Sequence, residues 1–361
     1  MSFEIERYRI TRFQFPRSRV IGDSQVRIDT HYIGTLELFS RNGHVGLGFF
    51  GALLAPLPPL TELERVFATE AWQGLEGRNP FVLLQRLTRP RGGNIRAAFY
   101  GHAINQALWD LQGKESGLPL YRLLGGTSGT VRAYASGLDY HLSLEETSAF
   151  FARAAARGFT AFKVKVGNPD LAWDLERLRA IAAAVGPDAT FMVDANEAWS
   201  PKEAIRRAYA YRDAGINIYW IEDPCLRDDF AGLALVRQEV PFSHINSGEY
   251  LDLHGKRLLM EHRAVDIVNL HGQISDSLHA AWLAAEYGIP VSLGNTPFEL
   301  GVHLAAALPN AEWMEYSFQD YEQLLVEPVV FKDGFAFAPE RPGHGLALAE
   351  DARARYAHPE A

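Results

Sequence analysis

A single cysteine, Cys225, stands among 361 residues, so no disulfide can form within the chain, and a lone thiol fits a reducing compartment. Long hydrophobic runs are missing as well. No stretch reaches the ~18 uninterrupted apolar residues of a membrane helix, and the opening MSFEIERYRI carries charges where a signal peptide has its apolar centre. These absences predict a soluble cytoplasmic protein with no membrane partner. Excess positive charge is lacking too: 35 Lys+Arg face 44 Asp+Glu, a formal net charge of -9, which leaves no broad basic surface for nucleic acid. Disorder is excluded by composition, since 47% of residues are hydrophobic and 12% aromatic. What remains is a globular chain long enough for two domains or one large α/β barrel, with room for a small anionic ligand in a local cationic pocket.

Two patterns divide the chain. Up to about Gly126 it is mixed: GTLELFS (Gly34 to Ser40) alternates as a strand, Arg41-Asn42-Gly43 reads as a hairpin turn, and Ile104, Ala107, Leu108 and Leu111 recur at helical spacing between Ile95 and Lys114. Gly117 and Pro119 close that helix. Beyond Gly126, short β-branched runs alternate with Ala/Leu/Arg-rich stretches. Strands are expected to begin near Val131, Ala161, Thr190, Asn217, Ser243, Val265, Pro290 and Glu312. Spacings of roughly 22 to 30 residues suit one strand and one returning helix, and eight repeats favour a closed barrel over an open doubly wound sheet. The expected organisation is an α+β capping domain over residues 1–128, a barrel over 129–335 and a C-terminal segment over 336–361. The tail is expected to leave the barrel beyond Val326 and pack back on the first domain.

Polar residues gather where these strands end. AFKVKV (Ala161 to Val166) places Lys163 and Lys165 two residues apart, on one side of a strand whose other side, Phe162, Val164 and Val166, is apolar. Burial and mutual repulsion would lower the ammonium pKa values and make Lys165, nearer the mouth, a base. Asp194 and Asn196 end the next strand, Glu222 another and Glu249 a fourth. A lone acid after a strand often caps the next helix. Three of them facing a lysine pair suit a hard cation such as Mg²⁺, which with Lys163 would stabilise the enediolate formed when Lys165 takes the proton α to a carboxylate.

These residues resemble the enolase superfamily, in its mandelate racemase and muconate lactonizing enzyme branch. The resemblance rests on Lys163-Val164-Lys165, Val193-Asp194-Ala195-Asn196, Trp220-Ile221-Glu222-Asp223-Pro224 and Gly248-Glu249, together with Ala107 to Lys114 and Pro119 to Gly126. It covers nearly the whole chain. It implies an N-terminal capping domain, a modified TIM barrel of the (β/α)7β type, Mg²⁺ on Asp194, Glu222 and Glu249, a small carboxylate substrate, and a homo-oligomer. Two departures stand out. The seventh strand, Val291 to Pro297, carries Asn295 and no histidine where racemase-type members have one, and His271 ends the sixth strand where they have Asp or, in the lactonizing type, Lys. His271 is an acid/base on the face opposite Lys165 or a substrate binder.

Asn196, Asn295 and Glu315 are the candidate substrate contacts, Glu315 as a protonated donor to the enediolate, whereas His303 reads as a packed residue in a helix over Glu299 to Ala307. Gly46-Leu47-Gly48-Phe49-Phe50-Gly51 fits G-x-G-x-x-G, yet no helix is expected after it, so a dinucleotide site is rejected. Arg17, Arg19, Asp23 and Arg27 lie where the family has its specificity loop, and suit a polar or anionic substrate. Dehydration of a hydroxy-carboxylate such as a sugar acid is the leading expectation. Racemisation or epimerisation, cycloisomerisation, and a non-catalytic ligand-binding barrel are the alternatives.

Overall fold

Alternation of buried and exposed residues sets the first layer of the computed structural model, which describes residues 3–52, 56–87, 99–271 and 274–358. Strands β1 (Ile5–Gly22), β2 (Arg27–Ser40) and β3 (Val45–Ala52) form an antiparallel sheet, with the expected turn at Arg41 to Gly43. The Tyr100–Ser116 helix packs on it, capped by Gly117 at φ 66°, while the Ile95 end of the predicted helix lies outside the described residues. The Gly-x-Gly segment belongs to this contact. A Cβ at Gly46 would stand 2.2 Å from the carbonyl oxygen of Ala107, and one at Gly48 1.9 Å from that of Ala103, so these glycines let strand and helix backbones approach.

Eight parallel strands follow: β4 (Thr130–Ser136), β5 (Ala161–Lys165), β6 (Thr190–Asp194), β7 (Ile218–Glu222), β8 (His244–Ser247), β9 (Ile267–Leu270), β10 (Val291–Leu293) and β11 (Ala311–Tyr316). All begin within two residues of the expected positions. β11 pairs with β4, Met314 opposite Ala133 and Tyr316 opposite Ala135, and closes the barrel. A helix lies between each successive pair, giving the (β/α)7β order. Strand residues facing outward bury Phe162, Val164, Val193 and Ile221 under the helices. Inside, Tyr134, Met192, Trp220, Ile267 and Trp313 plug the lower barrel, which leaves the polar groups to the C-terminal mouth.

The tail differs from expectation. Instead of leaving after Val326 it forms a hairpin of β12 (Val330–Lys332) and β13 (Phe335–Phe337), and β13 pairs antiparallel with β4. Asp333-Gly334, at φ 52° and 76°, is the tight turn that folds it back. Only later does the chain return to the capping domain, where His344 N–H donates to Asp110 (2.9 Å) and Arg353 to Glu37 (2.5 Å). The β1–β2 hairpin tip reaches over the barrel mouth: Gly22 N–H donates to Leu138 (3.0 Å), and the Gln25 amide to the Asn196 carbonyl. Among the described residues no helix is long and apolar enough to cross a membrane.

Candidate active site at the barrel mouth

Strand register builds the site. Lys165 lies opposite Asp194, Asp194 opposite Glu222, and Glu222 opposite Asn246, so four adjacent strands present polar side chains at one level. Both lysines turn inward, because their neighbours Phe162 and Val164 occupy the apolar layer outside. Lys165 Nζ donates to Asp194 Oδ2 (2.5 Å) and Asn196 Oδ1 (2.7 Å). Lys163 Nζ donates to both oxygens of Glu222 (2.9 Å each) and to Glu315 (3.2 Å), with Asp194 3.6 Å away.

The lysine pKa values run against the sequence expectation. Burial pulls both down, but Glu222 and Glu315 at Lys163, and Asp194 at Lys165, outweigh it and hold the ammonium groups above their ordinary range. Lys163 does lower Lys165, only by less than Asp194 raises it. Glu315 is likewise corrected. Burial raises its proton affinity, yet Lys163 and Lys165 bring it below the usual carboxylate value, so it is a carboxylate that accepts from Lys163 and from the Tyr134 hydroxyl (3.2 Å) rather than a protonated donor.

Three buried acids, Asp194, Glu222 and Glu315, and the half-buried Glu249 share this space with two ammonium groups, and burial first, then the neighbouring acids, raise Glu222 well above the ordinary carboxylate range despite Lys163. The negative surplus shows on Glu249 too, which burial first, then Asp194 and Asp223, push up to about 7. A divalent cation matches that surplus, and an all-oxygen donor set suits Mg²⁺. The carboxylates do not close around one point by themselves: among the described residues no three acidic or histidine side chains have metal-ligand spacing, and Lys163 lies between Asp194 and Glu222.

The remaining predicted residues divide. His271, at the end of β9, is half-buried, its Nδ1 lacks a hydrogen bond and stands 4.0 Å from Glu249; burial, then His102 and Lys256, lower it to about 4. Asn196 accepts from Lys165, whereas the Asn295 side chain accepts from Ser317 (3.4 Å) and the Asn295 backbone hydrogen-bonds His271. His303 is fully buried in the Gly301–Ala307 helix, bonded to Tyr121 N–H and the His344 carbonyl, as a packed residue should be.

Five contacts escaped sequence reasoning. Asn269 Nδ2 donates to Glu222 (2.9 Å), Asp139 accepts from the Lys165 backbone N–H (3.1 Å) and from Arg177 (2.9 Å), and Ser247 Oγ and Arg227 hold Asp223 (2.5 and 2.7 Å). Asn269 was detectable, since it sits two residues before His271 in strand spacing.

Residues 146–352 match the family model described as enolase C-terminal domain-like. Among curated proteins the chain is similar to the 3,6-anhydro-α-L-galactonate cycloisomerase of Streptomyces coelicolor, 32% identical over 367 residues, 95% of this chain and 97% of that protein. Among solved structures it is similar to a Mesorhizobium loti protein provisionally named a mandelate racemase (50% identity, TM-score 0.96, covering 99% and 95% of the two chains). It is also similar to the L-talarate/galactarate dehydratase of Salmonella typhimurium liganded with Mg and L-lyxarohydroxamate (27% identity, TM-score 0.85, 99% and 94%). With the barrel closed, the lysines and acids at its mouth and these matches along its length, the chain belongs to the mandelate racemase and muconate lactonizing enzyme branch of the enolase superfamily.

Proposed function

We propose that this protein is a sugar-acid dehydratase, an enzyme that removes the proton α to a substrate carboxylate and expels the β-hydroxyl as water. The observation that carries the reading is Lys165 Nζ, buried at the mouth and aimed by Asp194 and Asn196. Mg²⁺ is the proposed cofactor, on Asp194, Glu222 and Glu249, where it would polarise the substrate carboxylate and acidify the α C–H bond. The residues of the chain do the rest. Lys163, kept cationic by Glu222 and Glu315, faces the charge that builds on the carboxylate oxygens. Asp139 fixes the Lys165 backbone, so that the amine meets the α-proton from one side. Lys165 acts here as the neutral amine, a form that Asp194 disfavours while that carboxylate is free and would disfavour less as a metal ligand; the α C–H bond breaks toward the amine, a carbon–carbon double bond forms, the β C–O bond breaks, and the departing hydroxyl takes the proton from Lys165 and leaves as water. The enol then tautomerises to a 2-keto-3-deoxy acid. The similarity to a cycloisomerase and a dehydratase of sugar acids supports this choice.

A second reading, epimerisation, is favoured by one observation: β5 and β9 are second and sixth of eight barrel strands, so Lys165 and His271 stand on opposite walls. Proton NMR in D2O with Mg²⁺ and a panel of sugar acids separates the two. Loss of the α-proton signal with a 2-keto-3-deoxy product supports dehydration; deuterium exchange without that product supports epimerisation. Turnover that survives Lys165→Ala refutes both. The cytoplasm is the proposed setting, on the lone and buried Cys225.

A further inference from the structure

We propose that Arg227 is a positioning residue for the cation site: by joining the turns that follow β6, β7 and β8, it holds Asp194, Glu222 and Glu249 in register for Mg²⁺; this rests on the Mg²⁺ assignment above. The inference begins with the backbone. Just after two of the three proposed ligands the chain turns through Asn196 (φ 45°), Glu197 (φ 65°) and Asp223 (φ 38°), none of them glycine. Such conformations persist only where their surroundings over-determine them. Part of the restraint is main-chain. The N–H groups of Ala195, Glu197 and Asp223 donate to the carbonyls of Glu222 (3.0 Å), Asp223 (2.8 Å) and Asn246 (2.9 Å), which extends the barrel ladder past the strand ends. Asp194 Oδ1 also accepts from the Asn196 N–H (2.9 Å), so what moves this turn moves the ligand.

Those bonds link neighbouring turns in pairs, and all three turns meet at Arg227. Its backbone N–H donates to Glu197 Oε1 (2.8 Å), and its Nη1 stands 3.4 Å from Glu197 Oε2, which ties in the turn after β6. Its Nε and Nη2 donate to Asp223 Oδ2 (3.2 and 2.7 Å) after β7. Its guanidinium lies over the ring of Tyr250, 4.8 Å from the centre, and Tyr250 follows Glu249 and hydrogen-bonds it. Three fixed N–H directions and a flat face serve these contacts together, as a single ammonium would not. Charge points the same way. Ser247 Oγ takes the other Asp223 oxygen (2.5 Å), so both oxygens of that buried carboxylate are engaged inside the protein. Asp223 nonetheless adds to the negative field that raises Glu249. Arg227 is its counter-charge: burial opposes the cation, but Asp223 first, then Glu197 and Glu249, outweigh burial and keep it charged. With Asp223 balanced in this way, the surplus on the three ligands is left for the metal to neutralise.

Calorimetry tests this without turnover. Mg²⁺ is titrated into the metal-free parent and into Arg227→Met, Arg227→Lys, Glu197→Gln and Arg207→Met. Arg227→Met is expected to raise the Mg²⁺ Kd about tenfold or more, the scale for groups that orient metal ligands, with circular dichroism unchanged. Arg227→Lys is expected to recover part of that loss, through charge without the fork. Glu197→Gln weakens one arm of the network and is expected to raise Kd about threefold, the scale of one weakened charge contact; it carries the test if Arg227→Met does not fold. Arg207→Met is the control for lost stability, because its buried partner Asp174 lies on the Leu171–Val185 helix, away from the three turns, and its Kd is expected to match the parent's. An unchanged Kd in Arg227→Met, or in Glu197→Gln where that variant carries the test, overturns the proposal and leaves the Mg²⁺ assignment standing. A Kd raised as much by Arg207→Met as by Arg227→Met does the same. A parent that binds no Mg²⁺ overturns both.

Discussion

Replacing Glu299 by Gln is expected to stabilise the protein at alkaline pH and to leave its stability unchanged near pH 4.5. Glu299 is 7% exposed, and among the described residues its side chain makes no hydrogen bond or ion pair. Tyr316 and Tyr321 feel its charge, and Glu322 faces it with like charge. Burial first and Glu322 second push it from 4.5 to about 8. A carboxyl with a raised folded-state pKa contributes fully below its unfolded value, and that contribution is lost as pH rises through the folded value. The window is therefore pH 4.5 to about 8. At 1.36 kcal/mol per pH unit between those limits, the loss is about 3 kcal/mol at pH 7 and about 4 kcal/mol at pH 8. With an unfolding entropy of roughly 2.1 cal/mol/K per residue, 3 kcal/mol corresponds to about 4 °C in Tm for a chain of 361 residues. The assay is thermal unfolding of both proteins from pH 4.5 to 8.5, read as the difference between them so that other titrations cancel. The Gln variant should gain steadily on the parent across that range. Parallel curves would show that Glu299 ionises freely in the fold, and the argument would fail.

Three further outcomes follow from packing and charge. Gly48→Ala sets a methyl 1.9 Å from the Ala103 carbonyl oxygen, so the β3 contact with the Tyr100–Ser116 helix must open, at about 1–3 kcal/mol, seen as a lower denaturation midpoint. Arg207→Met takes the guanidinium (2.8 Å) from buried Asp174, leaving it the Tyr211 hydroxyl (3.0 Å) and the Gly167 and Asn168 N–H groups, and should cost about 3 kcal/mol in urea unfolding. Mg²⁺ at a hundredfold its Kd should add about 2.7 kcal/mol of stability, and Asp194→Asn should abolish that gain; an equal gain in the variant would place the cation elsewhere.

The barrel was legible because its signals are local. Each strand is a short apolar run followed by a helical stretch, so the starts of β4 to β11 stand in the sequence almost without reference to one another. The mouth residues were legible for a second reason, since Lys163, Lys165, Asp194, Glu222 and Glu249 lie in recognisable segments at strand ends. What the sequence hides is what depends on contacts between distant segments. Lysine repulsion is visible in Lys-x-Lys, but the carboxylates that outweigh it come from strands 29 and 59 residues away in the chain.

Glu299 read as the first residue of a helix. Yet Phe298 and Glu299 adopt φ of 54° and 57°, and the helix begins at Gly301. Phe298 explains the detour: it stacks on Phe49 of the capping sheet (3.8 Å between ring centres) and on Tyr321 (4.5 Å), and that packing outweighs the local preference for helix. The same logic hides a bulge in β1 at Arg17 to Val20. The run Pro16 to Arg19 shows its charges in the sequence, but not that the loop after β11, some 300 residues later, accepts hydrogen bonds from both guanidinium groups. Phe298 and the bulge both lie where the capping domain meets the barrel, where one segment's sequence says least about its surroundings. Side chains carried by single strands can be read from a chain, whereas geometry built between two domains needs their contact.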